Sequence, residues 1–240
     1  MRRRFTIIVS LLLAAMAFGA PAAPMPPRNT VCRPTFTTAT GPFSAGTAFV
    51  CEYPEGKGHV LITAQHLFGP GGGLPAKIAW NEMADKIKQV DGVSMHDPAV
   101  HLVSTNVVPI EGAHALDQKG PDGDIAVFAL LESKDRATLK LGDKTPKVGD
   151  PVWLYGCQAG GKTVELLPAI VSLSTDKELD YTFDDKAIQM RATSGAPILD
   201  ADGNVVAINI GSTTRRAKLV GFGNPLASIR AHLEHAFAKK

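Results

Sequence analysis

Three side chains of this sequence, Ser194, His66 and Asp124, are of the types and in the settings that acyl transfer requires. Ser194 lies among small residues in Thr193-Ser194-Gly195-Ala196-Pro197, followed by an apolar run, an Asp202-Gly203 turn and a second run. A sharp turn feeding a hairpin exposes one hydroxyl, and small neighbours let a backbone or substrate come close. Serine is a poor nucleophile until a positioned base takes its proton, so Ser194 needs a histidine and an orienting acid elsewhere. His66 ends the segment Gly58-His59-Val60-Leu61-Ile62-Thr63-Ala64-Gln65-His66, an apolar strand pattern that delivers an imidazole where rigid scaffold meets solvent. Asp124 stands directly before Ile125-Ala126-Val127, where a carboxylate can be partly buried and anchored by the following strand. Its neighbour Asp122 reads as a turn residue.

Other candidate groups fit blander roles. His59 begins a strand and reads as a solvated edge residue, while His96, His101 and His114 lack zinc-ligand spacing. His232 and His235 share one face of a helix but have no third ligand nearby, so no metal and no cofactor are expected. The segment Gly156-Cys157-Gln158-Ala159-Gly160-Gly161-Lys162-Thr163 satisfies G-x-x-x-x-G-K-[ST], the phosphate-binding loop of nucleotide-binding proteins. That motif requires a helix immediately afterwards, and Pro168 interrupts the run that would form it.

The elements that must position these groups are short strands. Strand candidates fall at 46–53, 58–64, 77–80, 100–108, 125–131, 151–155, 163–173, 187–191, 196–199, 205–211 and 219–222, separated by glycine, proline and aspartate. They split around the charged segment 132–149 into two all-β halves, 23–135 carrying His66 and Asp124 and 136–240 carrying Ser194. Helical spacing appears only at 225–238, where Leu226, Ile229, Leu233 and Phe237 form one apolar face. The loop 69–75 reads as a flexible excursion and 81–92 as a polar surface insertion. Asp180, Asp184 and Asp185 read as members of a solvated loop.

The first 22 residues have the form of a signal peptide: a basic Arg2-Arg3-Arg4, an apolar run, and Ala20-Pro21-Ala22 as a small-x-small cleavage site. The apolar run is shorter than the ~20 residues of a membrane span, so export to the periplasm or outside the cell is expected. Cleavage takes the formal charge from +2 to −1, which argues against nucleic-acid and anionic-membrane partners. With 6% aromatic residues there is no stacking platform for single strands either. Three cysteines in an exported chain allow one bridge and one leftover thiol, with Cys32–Cys51 the preferred pair and Cys157 a small buried apolar residue.

Taken together, the order His66, Asp124, Ser194, each beside a strand, resembles the chymotrypsin (trypsin-like) serine peptidases, the bacterial exported type in particular. Gly46-Thr47-Ala48-Phe49-Val50, Leu61 to His66, Asp124-Ile125-Ala126, Thr193 to Pro197 and Val205 to Gly211 resemble that family's successive motifs, covering most of the mature chain. The resemblance implies two six-stranded antiparallel β-barrels with a C-terminal helix, and a serine endopeptidase acting on protein or peptide substrates through an acyl-enzyme. It also implies an oxyanion hole from the backbone N–H groups of Ala192 and Ser194, and a specificity pocket formed by Ile188, Asn209, Ile210 and Gly211. No acid stands at Ile188 to hold a basic side chain, so a small or apolar substrate residue is expected. Ala192 replaces the usual glycine and Thr193 the acid that animal members pair with a freed N-terminus. A double barrel that binds a protein or peptide without cutting it is the alternative that Ala192 raises. An α/β-hydrolase esterase fits less well, because Ser194 lacks the glycines of G-x-S-x-G.

Overall fold

Strand β1 (Val31–Thr38), absent from the sequence expectation, is the hub of the first half. In the computed structural model, which describes residues 22–238 apart from 57, 117–119, 132, 134–135 and 162, β1 pairs with three strands. These are β2 (Gly41–Ser44), β3 (Ala48–Glu52) and β5 (Ile87–Ser94). With β4 (His59–Thr63), β6 (His101–Ser104), β7 (Asn106–Val108) and β8 (Ala126–Leu130) the order is β6-β5-β1-β3-β4-β8-β7. The run 101–108 pairs with β5 through its first part and with β8 through its last, so one chain segment broken at Thr105 forms the seam of a nearly closed barrel. The second half is a closed barrel of six strands in the order β10-β11-β14-β13-β12-β9. Its members are β9 (Pro151–Gly156), β10 (Glu165–Ser174), β11 (Leu179–Phe183), β12 (Pro197–Leu199), β13 (Val205–Arg215) and β14 (Lys218–Pro225). Besides the one-turn α1 (Met83–Lys86), the C-terminal helix α2 (Leu226–Ala238) follows β14.

The first barrel is filled by phenylalanines. Phe36 of β1 meets Phe68 edge-on at 4.6 Å and lies 5.9 Å from Phe128 of β8. Burying one such side chain is worth about 1.5–3 kcal/mol, and an edge-to-face pair adds about 0.5–1.5 kcal/mol. The functional consequence is local: Phe68 and Leu67 are buried and directly follow His66, so the same core that stabilises the barrel fixes the short 3₁₀ turn Gln65–Phe68 that carries the imidazole. Ile229 and Leu233 of α2, one helical turn apart, pack into this core together with Tyr155, Leu199, Val205, Ile208 and Ile210 of the second barrel. One continuous apolar seam therefore joins the two halves.

Several sequence expectations change here. Segments 77–80 and 187–191 are not strands, because neither finds a ladder partner, and the supposed insertion 81–92 contributes α1 and most of β5. In β5 the residues Ile87, Val90, Gly92 and Ser94 turn inward while Lys88, Gln89 and Asp91 face out, so half of a genuine strand reads as polar surface. His59 is half-buried on β4, which has β3 on one side and β8 on the other, so it is not an edge residue. Asp180 is no loop residue: it lies on β11, buried, paired with the guanidinium of Arg215 across the barrel wall. Asp184 and Asp185 are exposed.

The expected Cys32–Cys51 bridge is also corrected. All three cysteines are buried free thiols. In the β1–β3 ladder Cys32 is opposite Ala48, which puts Cys51 three residues further along the partner strand and on its other face. Three steps at ~3.3 Å each exceed the reach of a disulfide, and the side chains point apart.

Candidate active site

His66 arrives at the surface because β4 runs out at Thr63 and the chain turns through Ala64 into the Gln65–Phe68 turn. Its side chain is 16% exposed and that of Asp124 is fully buried. Asp124 Oδ1 accepts the backbone N–H of His66 at 2.8 Å, and Oδ2 accepts His66 Nδ1 at 2.8 Å and the backbone N–H of Leu116 at 2.9 Å. A buried carboxylate with three N–H donors is fully satisfied as an anion and fixed in direction. With Nδ1 donating to it, the imidazole presents the lone pair of Nε2 away from the acid.

The loop before Asp124 is held from behind. Asp124 N–H donates to Pro121 O at 3.0 Å and His114 N–H donates to Gly123 O at 2.8 Å. From α2, Ser228 Oγ and His232 Nε2, the latter at 3.2 Å, both meet the Asp122 carbonyl. His232 is thus half-buried against this loop and not a solvated surface residue, and burial pushes its pKa below the ordinary histidine value. Asp122 contributes its backbone, as a turn residue does. The glycine-rich loop after His66 packs on the imidazole: a Cβ at Gly71 would lie 2.9 Å from His66 Cδ2 and 3.1 Å from its carbonyl oxygen.

Ser194 sits across the barrel interface. Its carbonyl accepts Thr47 N–H at 2.8 Å, and its hydroxyl donates to Ile210 O at 3.1 Å. Ile210 and His66 line one pocket of about 260 Å³ together with Pro70, Gly71, Ala115 and Leu116. Gly195 takes a left-handed φ of +84°, and a Cβ there would come within 2.2 Å of Thr47 O, so only glycine fits directly after the serine. Ala192 also has a left-handed φ, +68°, which costs an L-residue about 1–2 kcal/mol. Its carbonyl is gripped by Arg33 Nη1 at 2.5 Å and Thr47 Oγ1 at 2.9 Å. Among the described residues, neither Ala192 N–H nor Ser194 N–H donates to a protein acceptor.

The residues expected to line a specificity pocket are dispersed. Ile210 lies beside His66. Asn209 is fully buried beneath the serine loop, donating from Nδ2 to Thr193 O at 2.9 Å and to Thr193 Oγ1 at 3.0 Å, and accepting the Tyr181 hydroxyl at 2.5 Å. Gly211 faces Phe222, whose ring would stand 2.9 Å from a Cβ there. Ile188 lines a separate groove of about 430 Å³ with Trp153, Leu167 and Ile170. The segment 156–163 opens into β10, a strand, where a phosphate-binding loop would need a helix; Lys162 of that motif lies outside the described residues. Among the described residues no three histidine, cysteine or acidic side chains cluster to hold a metal ion, and no helix is long and apolar enough to cross a membrane.

Sequence reasoning missed Arg33, Thr47, Gln158 and the Leu116 N–H. Arg33 stands between the buried residues Cys32 and Pro34 on β1, whose mixed residues show no clean apolar alternation in the sequence.

In solved structures the fold is similar to a thermostable serine protease from an extremophilic microorganism, with a TM-score of 0.60 at 14% identity over 89% of this chain and 99% of that one. It is likewise similar to the serine endoprotease of Yersinia pestis (TM-score 0.58, 16% identity, 88% of this chain and 64% of that one). The active form of a protease from M. tuberculosis gives a TM-score of 0.56 at 16% identity over 97% of this chain and 92% of that one. No curated protein sequence matches the chain significantly. The profile of the trypsin-like peptidase domain matches residues 46–208, which include His66, Asp124 and Ser194, and the chain therefore belongs to the trypsin-like peptidase family.

Proposed function

We propose that the chain is an exported serine endopeptidase in which Ser194 is the nucleophile, His66 the general base and acid, and Asp124 the orienting acid. The observation that carries this reading is the double grip of the buried Asp124 on His66, through Nδ1 and the backbone N–H at 2.8 Å each. Ser194 Oγ attacks the scissile carbonyl carbon as His66 Nε2 takes its proton. The tetrahedral oxyanion then collapses, and the imidazolium returns the proton to the departing amine, leaving an acyl-enzyme that water hydrolyses by the same steps. Ala192 and Ser194 N–H groups are the proposed oxyanion donors, a contribution of a few kcal/mol in such sites. The proposal includes cleavage of residues 1–22 and a periplasmic or secreted location. Cleavage then leaves barrels at 23–135 and 136–240, the chain acting on protein or peptide substrates without a cofactor, nucleic acid or membrane partner.

A second reading, a double barrel that binds peptides without cutting, draws on one observation: the Ser194 hydroxyl donates to Ile210 O, not to His66. Treatment of the purified mature protein with a fluorophosphonate, with Ser194→Ala and His66→Ala as controls, decides between them. Labelling that maps to Ser194 and disappears in both variants supports the peptidase. An unlabelled but folded wild type refutes it and leaves the binder.

A further inference from the structure

Ala192 holds a backbone conformation that alanine disfavours, and such a residue keeps it only where the surroundings over-determine it. Those surroundings are one side chain more than any other. Arg33, on β1 of the first barrel, places Nη1 on Ala192 O at 2.5 Å, Gly46 O at 3.0 Å and Thr47 Oγ1 at 3.2 Å. Its Nη2 meets Cys157 O and, at 3.4 Å, Gln158 O. The planar guanidinium fork thus joins three segments at one point: the turn before β3, the loop before Ser194, and the turn after β9.

The turn after β9 in its own right holds the approach to Ala192. Gln158 Oε1 accepts the backbone N–H of Gln189 at 2.6 Å, and Gln158 Nε2 donates to Glu165 Oε2 at 2.6 Å. The segment with the phosphate-loop pattern is therefore, in this fold, a bracket for residues 189–192, and Arg33 binds both its 157–158 turn and Ala192.

We propose that Arg33 is the positioning residue of the oxyanion loop, setting the peptide planes around Ala192 so that an alanine serves where glycine is usual. This rests on the peptidase reading above. Arg33 acts through Ala192 and through the 157–158 turn.

The test uses the full mature protein with Arg33→Met and Arg33→Lys, each compared with wild type. Readouts are the second-order rate of fluorophosphonate labelling at Ser194, the thermal midpoint, and amide hydrogen exchange over 188–196 and over β4. Arg33→Met is expected to slow labelling by about 10–100-fold, less than the roughly 10²–10³-fold lost when an oxyanion donor is itself removed, and to speed exchange over 188–196 while β4 stays protected. Arg33→Lys is expected to lie between the two, because one ammonium can serve Ala192 O but cannot reproduce the fork onto the 157–158 turn. Labelling of either variant at the wild-type rate overturns the proposal, as does exchange that rises equally in both barrels. If Arg33→Met does not fold, Arg33→Lys carries the test by the same criteria. A wild type that does not label fails the peptidase reading, and exchange over 188–196 then judges the clamp by itself.

Discussion

His66 is bound to Asp124 twice, through its ring Nδ1 and through its own backbone N–H, both at 2.8 Å. Main chain and side chain of the same residue are locked to one buried carboxylate, so ring orientation and loop position are a single variable. Leu116 N–H is the third donor to this carboxylate, at 2.9 Å.

Asp124→Asn tests this relationship. An amide keeps the size but presents an NH₂ where Nδ1–H now donates, which forces the imidazole toward the tautomer with Nε2 protonated and unable to accept the serine proton. We expect a loss of about 10⁴-fold in kcat or labelling rate at neutral pH, with the thermal midpoint changed far less than the activity. Activity within tenfold of wild type would assign the orienting role elsewhere.

Ala192→Gly separates strain from function. Relief of a left-handed alanine is worth about 1–2 kcal/mol, and the added freedom of glycine in the unfolded chain costs about 0.4–1 kcal/mol. The expected net effect is a gain of about 0–1.6 kcal/mol by urea denaturation, with labelling at Ser194 undiminished. Ala192→Val, β-branched at φ +68°, is expected to destabilise further, because it adds the crowding of a branched Cβ to the cost the alanine already carries.

The thiols make a third prediction. Burial pushes the Cys32 and Cys51 thiols up to about 12, so neither forms appreciable thiolate near neutral pH, and the ladder keeps them apart. Native protein should react negligibly at these two positions with a thiol reagent at pH 8. Non-reducing denaturant should release all three thiols; recovery of a single thiol would mean a bridge.

Stability should fall in mild acid. The His96 pKa is lowered by burial and by nearby Arg28, and that of His232 by burial first. Both are neutral above about 6.5; as pH falls below that value the unfolded chain takes up protons before the folded one, and stability drops toward the folded values. The geometry gives His96 a specific reason, since its Nδ1 accepts Asn29 N–H at 3.2 Å and protonation removes that lone pair. We expect the urea midpoint to decrease between pH 7.5 and 5, and to decrease less in His96→Gln. An equal slope in the variant would remove His96 from the account.

Much of this protein is legible in its sequence. Ser194 and its small neighbours, His66 after an apolar strand and Asp124 before one are local signals, because strand alternation and turn chemistry are properties of a few consecutive residues. The same locality made two β halves and the spacing of Leu226, Ile229 and Leu233 readable. It failed where a strand mixes its faces: β1 carries Arg33, Pro34 and threonines, and β5 carries Lys88, Gln89 and Asp91, so neither shows a clean apolar run.

Tertiary structure alone decided the rest. The register of β1 on β3 separates Cys32 from Cys51, and the β11 wall buries Asp180 where its neighbours Asp184 and Asp185 stay in water. The Arg33 clamp closes on carbonyl oxygens of Gly46, Ala192, Cys157 and Gln158, up to 159 residues away in the chain. A backbone carbonyl is the same group at every position, so it leaves no mark in the sequence to say which cation will find it. Residue types determined what chemistry was possible around Ser194; the meeting of two barrels determined how the loop that presents it is held.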